Sequence, residues 1–192
     1  VYIEAEGENE DDLFAYFEEL SDAAAATGAD PEANWAGTER EERERLRRFR
    51  HAVPEAVNAE IARLKRFDPD LTKLSTDFAV PDRELVTLLD RYRKGFAAHG
   101  FTTAVFGHIG DNHLHANIIP ASPVEYRKGR ALFEAIGREV VAAGGTVSAE
   151  HGIGKLKKDF LRLMYGESGL EEMKRLKEVF DPEFLLNPGN LF

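Results

Sequence analysis

Residues 101 to 119 are strand-like, with a break at Gly110-Asp111-Asn112, and polar and apolar residues alternate from His113 to Ile118. A period of two over this length marks strand backbone, because successive strand side chains point to opposite faces. Asn and Asp tolerate the positive φ of tight turns, so Asp111-Asn112 reads as a two-residue hairpin turn between antiparallel strands. That turn pairs His108 with His115 and Phe106 with Asn117. One face of the hairpin then carries Val105, Ile109, Leu114, Ala116 and Ile118. The opposite face carries His108, His113, His115 and Asn117. A chain with such a hairpin has to build a sheet with one side in a core and the other lined by imidazoles.

The flanking segments supply the layer that covers the core side. Residues 1–6 read as a short strand ending at Gly7. Leu13, Phe14, Phe17, Leu20 and Ala24 then recur at helical spacing until Gly28 and Pro31. A charged helical stretch follows over 38–67, divided by Pro54 and stopped by Asp68-Pro69. Leu71 to Pro81 reads as a strand, and Leu85, Leu88, Leu89, Tyr92 and Phe96 form one helical stripe closed by Gly100. After the hairpin, Val124, Leu132, Ala135, Ile136 and Val140 mark another helix ending at Gly144-Gly145. Thr146-Val147-Ser148 is a short strand. Leu156, Phe160 and Leu163 mark one tail helix, and Met173, Leu176 and Phe180 a second, stopped by Asp181-Pro182. This order predicts an α+β fold: a mostly antiparallel sheet of ferredoxin-like type, helices on one face, and a helical C-terminal tail. Residues 1–192 are expected to form one domain, with a sheet-and-helix core over 1–150, the helical excursion at about 38–67, and the tail from 151. The chain opens at Val1 in a pattern resembling a strand already under way, so it reads as a piece of a longer protein.

No cysteine occurs among the 192 residues, which leaves only nitrogen and oxygen donors for any metal. The formal charge of -10 argues against a nucleic-acid partner, which would call for a basic face. No apolar run approaches the ~20 residues that span a bilayer. A cytoplasmic chain is expected, with any membrane association made through a partner. Facing residues on paired strands have Cβ atoms about 4.5–5.5 Å apart. Two imidazoles at that spacing can converge on one cation with bonds of about 2.0–2.1 Å. Glu150-His151, just past a strand, can supply an acid. The reading is a divalent-metal site of His108, His115 and Glu150 with an open position. Zinc is favoured, although manganese or iron suits the same donors.

His-Ile-Gly-Asp-Asn-His-Leu-His-Ala-Asn at 108–117, Ser-Ala-Glu-His-Gly-Ile-Gly at 148–154 and Asn187-Pro188-Gly189 occur in this order. Together with Asp77-Phe78-Ala79-Val80-Pro81 and Arg50 with its following helix, they resemble the C-terminal domain of FAD-linked oxidases of the vanillyl-alcohol-oxidase type. That group includes D-lactate dehydrogenase, the glycolate oxidase catalytic subunit and D-2-hydroxyglutarate dehydrogenase. The resemblance implies an N-terminal FAD domain outside this chain, a small 2-hydroxy-acid substrate, and oxidation to the 2-oxo acid with hydride passing to FAD. It implies His108, His115 and Glu150 as metal ligands, His151 as the base, Arg50 and Asn117 as substrate contacts, and Asn187 near the flavin. Lys73 is a second anion contact by its charge. The sequence departs from the family pattern at Asn112-His113, where Gly-Asn is usual, and this adds a third imidazole to the site face. It departs again at Asn190, where Lys often follows Asn-Pro-Gly. The electron acceptor and the particular hydroxy acid are not encoded legibly, and the isolated chain is expected to be inactive. Two other classes stay open on sequence alone: a metal-dependent hydrolase using the same His/His/Glu site, and a non-catalytic binding module.

Overall fold

The computed structural model of the chain describes residues 1–155 and 157–191. It divides into two compact units, Val1–Glu55 and Ala56–Phe192. The first contains helix α1 (Glu10–Ala26) and the start of α2 (Arg40–Leu64). Asn9 caps α1 by accepting the Asp11 N–H at 3.0 Å, and Glu10, Asp11 and Asp12 fill the first turn, where the helix dipole favours negative charge. Residues 1–6 do not form the expected strand. Strand structure exists only through pairing, and among the described residues none pairs with them. Glu4 instead meets Arg47 at 2.8 Å on the surface.

Helix α2 runs through Pro54 rather than breaking there. Proline removes one backbone bond and crowds the carbonyl four residues earlier, which bends a helix without necessarily ending it. Beyond Pro54, Val57 and Ile61 are buried and anchor the second half.

The second unit is built on one antiparallel sheet. Strands β1 (Leu74–Ser75) and β2 (Phe78–Ala79) follow one another along one side of β4 (His113–Ile118), and β3 (Thr103–His108) lies along the other. Ala79 also bridges Thr146, so the strand expected at 146–148 is reduced to a single pairing. Helix α3 (Leu85–His99) contributes Leu88, Tyr92 and Phe96 to the core. Helix α4 (Pro123–Ala142) contributes Phe133, Ile136 and Val140, and β4 contributes Leu114, Ala116 and Ile118. Each such large side chain stabilises the fold by about 1.5–3 kcal/mol on burial. Gly100 ends α3 with φ 66° and ψ 30°, a left-handed residue that glycine adopts without strain. The tail is α5 (Lys158–Phe180), two helical runs joined at Gly166, whose φ of 66° and ψ of 179° break the helix. Leu156, expected in the first run, lies outside the described residues.

Three details differ from the alternation pattern. Val105 and Ile109, expected in the core, are exposed, because on their face of the sheet the helices cover β4 and β2 rather than the outer strand and its turn. Val124 and Ala135 are likewise exposed; Gly129, Phe133, Ile136, Gly137 and Val140 form the buried stripe of α4. The sheet is also not covered by helices on one face only. Val57 and Ile61 of α2 pack with Ile119, Ala104 and Phe106 on the imidazole side.

Candidate functional site

The hairpin turn is longer than the two residues expected. Ile109–Asp111 form a 3-10 turn, and Asn112 closes it in the left-handed region at φ 50°. The register therefore moves by two residues: His108 pairs with His113, and Phe106 with His115. Two is the period of a strand, so every side chain keeps its face. His108, His113, His115 and Asn117 still share one side. Gly107 allows the close approach, since a Cβ there would collide with the His113 carbonyl oxygen.

Along the opposite side of β4, Thr76 and Asp77 interrupt the partner strand, and both are buried. The Thr76 hydroxyl accepts the Ala116 N–H at 2.9 Å, taking the place of its own carbonyl in the ladder. The same hydroxyl lies 3.3 Å from the Leu114 carbonyl, to which it donates, and 3.0 Å from the Tyr92 hydroxyl. Burial pushes the Tyr92 phenol well above its ordinary range, against the hydrogen bond to Thr76, so it stays protonated. The Thr76 carbonyl, freed from the ladder, faces His115 Nδ1 at 3.1 Å. A carbonyl can only accept, so Nδ1 carries the hydrogen, and in the neutral ring Nε2 keeps its lone pair. His115 is held below the ordinary histidine range, first by burial and further by the neighbouring His113 and His151. The Thr76 carbonyl and Asp77 act the other way.

Asp77 is the hub of the site. Its Oδ1 accepts from His113 Nε2 at 3.0 Å and from the Glu150 N–H at 3.2 Å. Its Oδ2 accepts from the His151 N–H and the Lys157 ammonium, each at 3.0 Å. Burial opposes ionisation of this carboxyl. The His151 N–H, the Lys157 ammonium and the Glu150 N–H outweigh it and hold Asp77 below its ordinary value. One carboxylate thus fixes the backbone of two consecutive residues, Glu150 and His151, in a segment without regular secondary structure.

Held this way, the Glu150 carboxylate lies among four imidazoles. Oε1 is 3.1 Å from His108 Nε2 and 3.9 Å from His113 Nδ1. Oε2 is 3.6 Å from His115 Nε2 and 3.9 Å from His151 Nε2. Among the described residues, His115, Glu150 and His151 can each offer a ligand atom within 4.8 Å of the others, and so can Asp77, His113 and His115. The structure therefore brings His108, His115, Glu150 and His151 to one place. Asn117, on the same strand, is fully buried. Its amide nitrogen donates to the His115 carbonyl at 3.2 Å, and among the described residues its Oδ1 has no hydrogen-bond partner. Lys73, just before β1, reaches the Asn58 Oδ1 at 3.0 Å. Arg50 belongs to the first unit, with its guanidinium 5.8 Å from the Tyr2 ring. Asn187, at φ 47°, lines a cavity of about 360 Å³ with Lys174, Lys177, Phe184, Pro188, Gly189 and Asn190. Sequence reasoning left Thr76, Asp77 and Lys157 out of the site. The available signal was the place of Asp77 at the head of the motif Asp77-Phe78-Ala79-Val80-Pro81.

The sequence is similar to those of known proteins. The chain is 31% identical over 143 residues to the glycolate oxidase subunit GlcD of Bacillus subtilis, a match covering 73% of this chain and 30% of that protein. It is 33% identical over 129 residues to the mitochondrial D-lactate dehydrogenase [cytochrome] of Kluyveromyces lactis, covering 67% and 22%. It is 36% identical over 96 residues to the D-2-hydroxyglutarate dehydrogenase of Stutzerimonas stutzeri, covering 48% and 21%. The matched part is thus less than a third of each relative's length. No helix among the described residues is long and apolar enough to cross a membrane. With the family pattern matched over residues 1–191, the chain belongs to the FAD linked oxidases, C-terminal domain.

Proposed function

We propose that this chain is the substrate-side domain of a flavin-dependent 2-hydroxy-acid dehydrogenase or oxidase. The reaction converts a D-2-hydroxy acid or glycolate to the 2-oxo acid. The observation that carries the reading is the Glu150 carboxylate set among imidazoles, with a neutral His115 presenting a lone pair to it. At 3.6 Å that pair is too far apart for a hydrogen bond, and two electron-rich atoms facing each other suit a cation between them. The donors are nitrogen and carboxylate oxygen, a set that fits zinc. His108, His115 and Glu150 would hold the ion. Bound there, it supplies Lewis-acid polarisation of the substrate hydroxyl.

The chain's own residues would do the rest. The exposed His151 ring takes the hydroxyl proton, a task suited to an imidazole near neutral pH. The C2–H bond then breaks with its electron pair leaving as hydride, and the C2–O bond becomes a carbonyl. FAD, held by an N-terminal domain, supplies the hydride acceptor, and Asn187 is assigned beside it by likeness to the family. The orphaned Asn117 Oδ1 is a buried acceptor suited to a substrate hydroxyl, and the Lys73 ammonium offers a countercharge to the substrate carboxylate. For Arg50 the support is sequence resemblance alone. The relatives are named as dehydrogenases and an oxidase, which favours redox over hydrolytic use of the site. We also infer a ferredoxin-like sheet, supported by the order Thr146, β1/β2, β4, β3 with α3 and α4 as the two crossings.

Anaerobic bleaching of the flavin in the intact flavoprotein tests this. D-lactate, glycolate or D-2-hydroxyglutarate should bleach it, and Glu150→Gln and His151→Ala should each slow bleaching by at least about 100-fold. Bleaching at the unaltered rate in both variants would overturn the assignment.

A further inference from the structure

We infer that His113 is a third imidazole ligand of the metal site, held for that task by Asp77. This rests on the site proposed above and adds a fourth protein donor to it, so the substrate hydroxyl would take a fifth position, a coordination number catalytic zinc can reach. His113 is among the most buried polar residues of the chain, with its side chain 4% exposed, yet it packs into the imidazole cluster rather than into the apolar core. Its ring lies between the other two: centroids stand 4.4 Å from His115 and 5.9 Å from His108.

The orientation of the ring decides the role. Both Asp77 oxygens already accept from backbone N–H groups, and Oδ2 from the Lys157 ammonium, so this carboxylate acts as an acceptor and the 3.0 Å contact puts a hydrogen on His113 Nε2. In the neutral ring this leaves Nδ1 with its lone pair, and Nδ1 is the nitrogen that faces Glu150 Oε1 at 3.9 Å. His115 has the same construction with the nitrogens exchanged: Nδ1–H to the Thr76 carbonyl, Nε2 towards Glu150. A metal-bound histidine characteristically donates its second ring nitrogen to a carboxylate or carbonyl, which fixes the tautomer. Both rings meet that requirement from the buried side. Asp77 itself is not a spare ligand, since both of its oxygens already accept hydrogen bonds.

The test is a zinc titration of the metal-free protein, with imidazole nitrogens followed by long-range 1H–15N spectra. The zinc-loaded protein should show one Nδ1-bound imidazole together with the Nε2-bound rings. His113→Asn should weaken zinc binding by more than Asp77→Asn does, since losing an orienting partner costs on the order of 10–100-fold. The spectrum of the unaltered protein requires no variant to fold. An unshifted His113 Nδ1 in zinc-loaded protein would overturn the inference while leaving the His108, His115 and Glu150 site standing. Failure of the unaltered protein to bind zinc would overturn both. Equal affinity in His113→Asn would overturn this inference alone.

Discussion

Replacing Asp77 with Asn keeps the size of the side chain and removes its charge. Four donors within 3.2 Å converge on the native carboxylate, beside the Ser148 hydroxyl at 3.5 Å: His113 Nε2, the N–H groups of Glu150 and His151, and the Lys157 ammonium. An amide offers an oxygen to only two of them and turns an NH2 group towards the other two. Two buried donors left without an acceptor cost about 1–3 kcal/mol each. Counted instead as a broken buried charge pair, the loss is about 3–5 kcal/mol. The two routes overlap, so Asp77→Asn should cost about 3–5 kcal/mol in urea unfolding of the metal-free protein, a large share of a typical domain's stability. The pH dependence has a definite sign. The native carboxyl is held below its ordinary value, so its contribution is present above the unfolded value of about 3.9 and is lost as pH falls through the native value. Unaltered protein should lose this increment in acid, and Asp77→Asn should not. A change below about 1 kcal/mol with the same acid profile would refute the hub.

Other changes probe the same framework. Thr76→Val removes the hydroxyl that satisfies the Ala116 N–H and the Tyr92 hydroxyl, so unfolding should show a loss of about 1–3 kcal/mol. The restored competition for the Thr76 carbonyl should also weaken zinc binding, measurable by titration. Gly107→Ala forces a Cβ onto the His113 carbonyl and should cost about 1–3 kcal/mol, with hairpin amide resonances displaced. Burial holds native His115 below the ordinary histidine value of about 6.5, so the unfolded chain binds a proton that the native protein refuses. Stability of the metal-free protein should therefore fall as pH drops from about 6.5 towards the native value, and His115→Gln should flatten that slope in urea midpoints measured across pH.

Much of this site is written locally. The alternation around β4 predicts which side chains share a face, and a two-residue slip in register cannot alter that. The slip itself was not legible, because Asp111 is as acceptable in a 3-10 turn as in a tight hairpin, and only Asn112 takes a positive φ. Pro54 shows the same limit: its local effect is a lost hydrogen bond, and burial of Val57 and Ile61 settles whether the helix continues. The role of Asp77 depends on contacts more than seventy residues away, to Glu150 and His151, which no local pattern encodes. His113 was placed on the correct face by alternation, but its tautomer depends on Asp77 and so emerges only from the fold.

Metal analysis of the purified protein beside its Glu150→Ala variant tests the central claim most directly. A divalent ion gathered by imidazoles around the Glu150 carboxylate predicts about one equivalent of zinc in the unaltered protein and little in the variant. Equal content in the two, whether full or negligible, would contradict it.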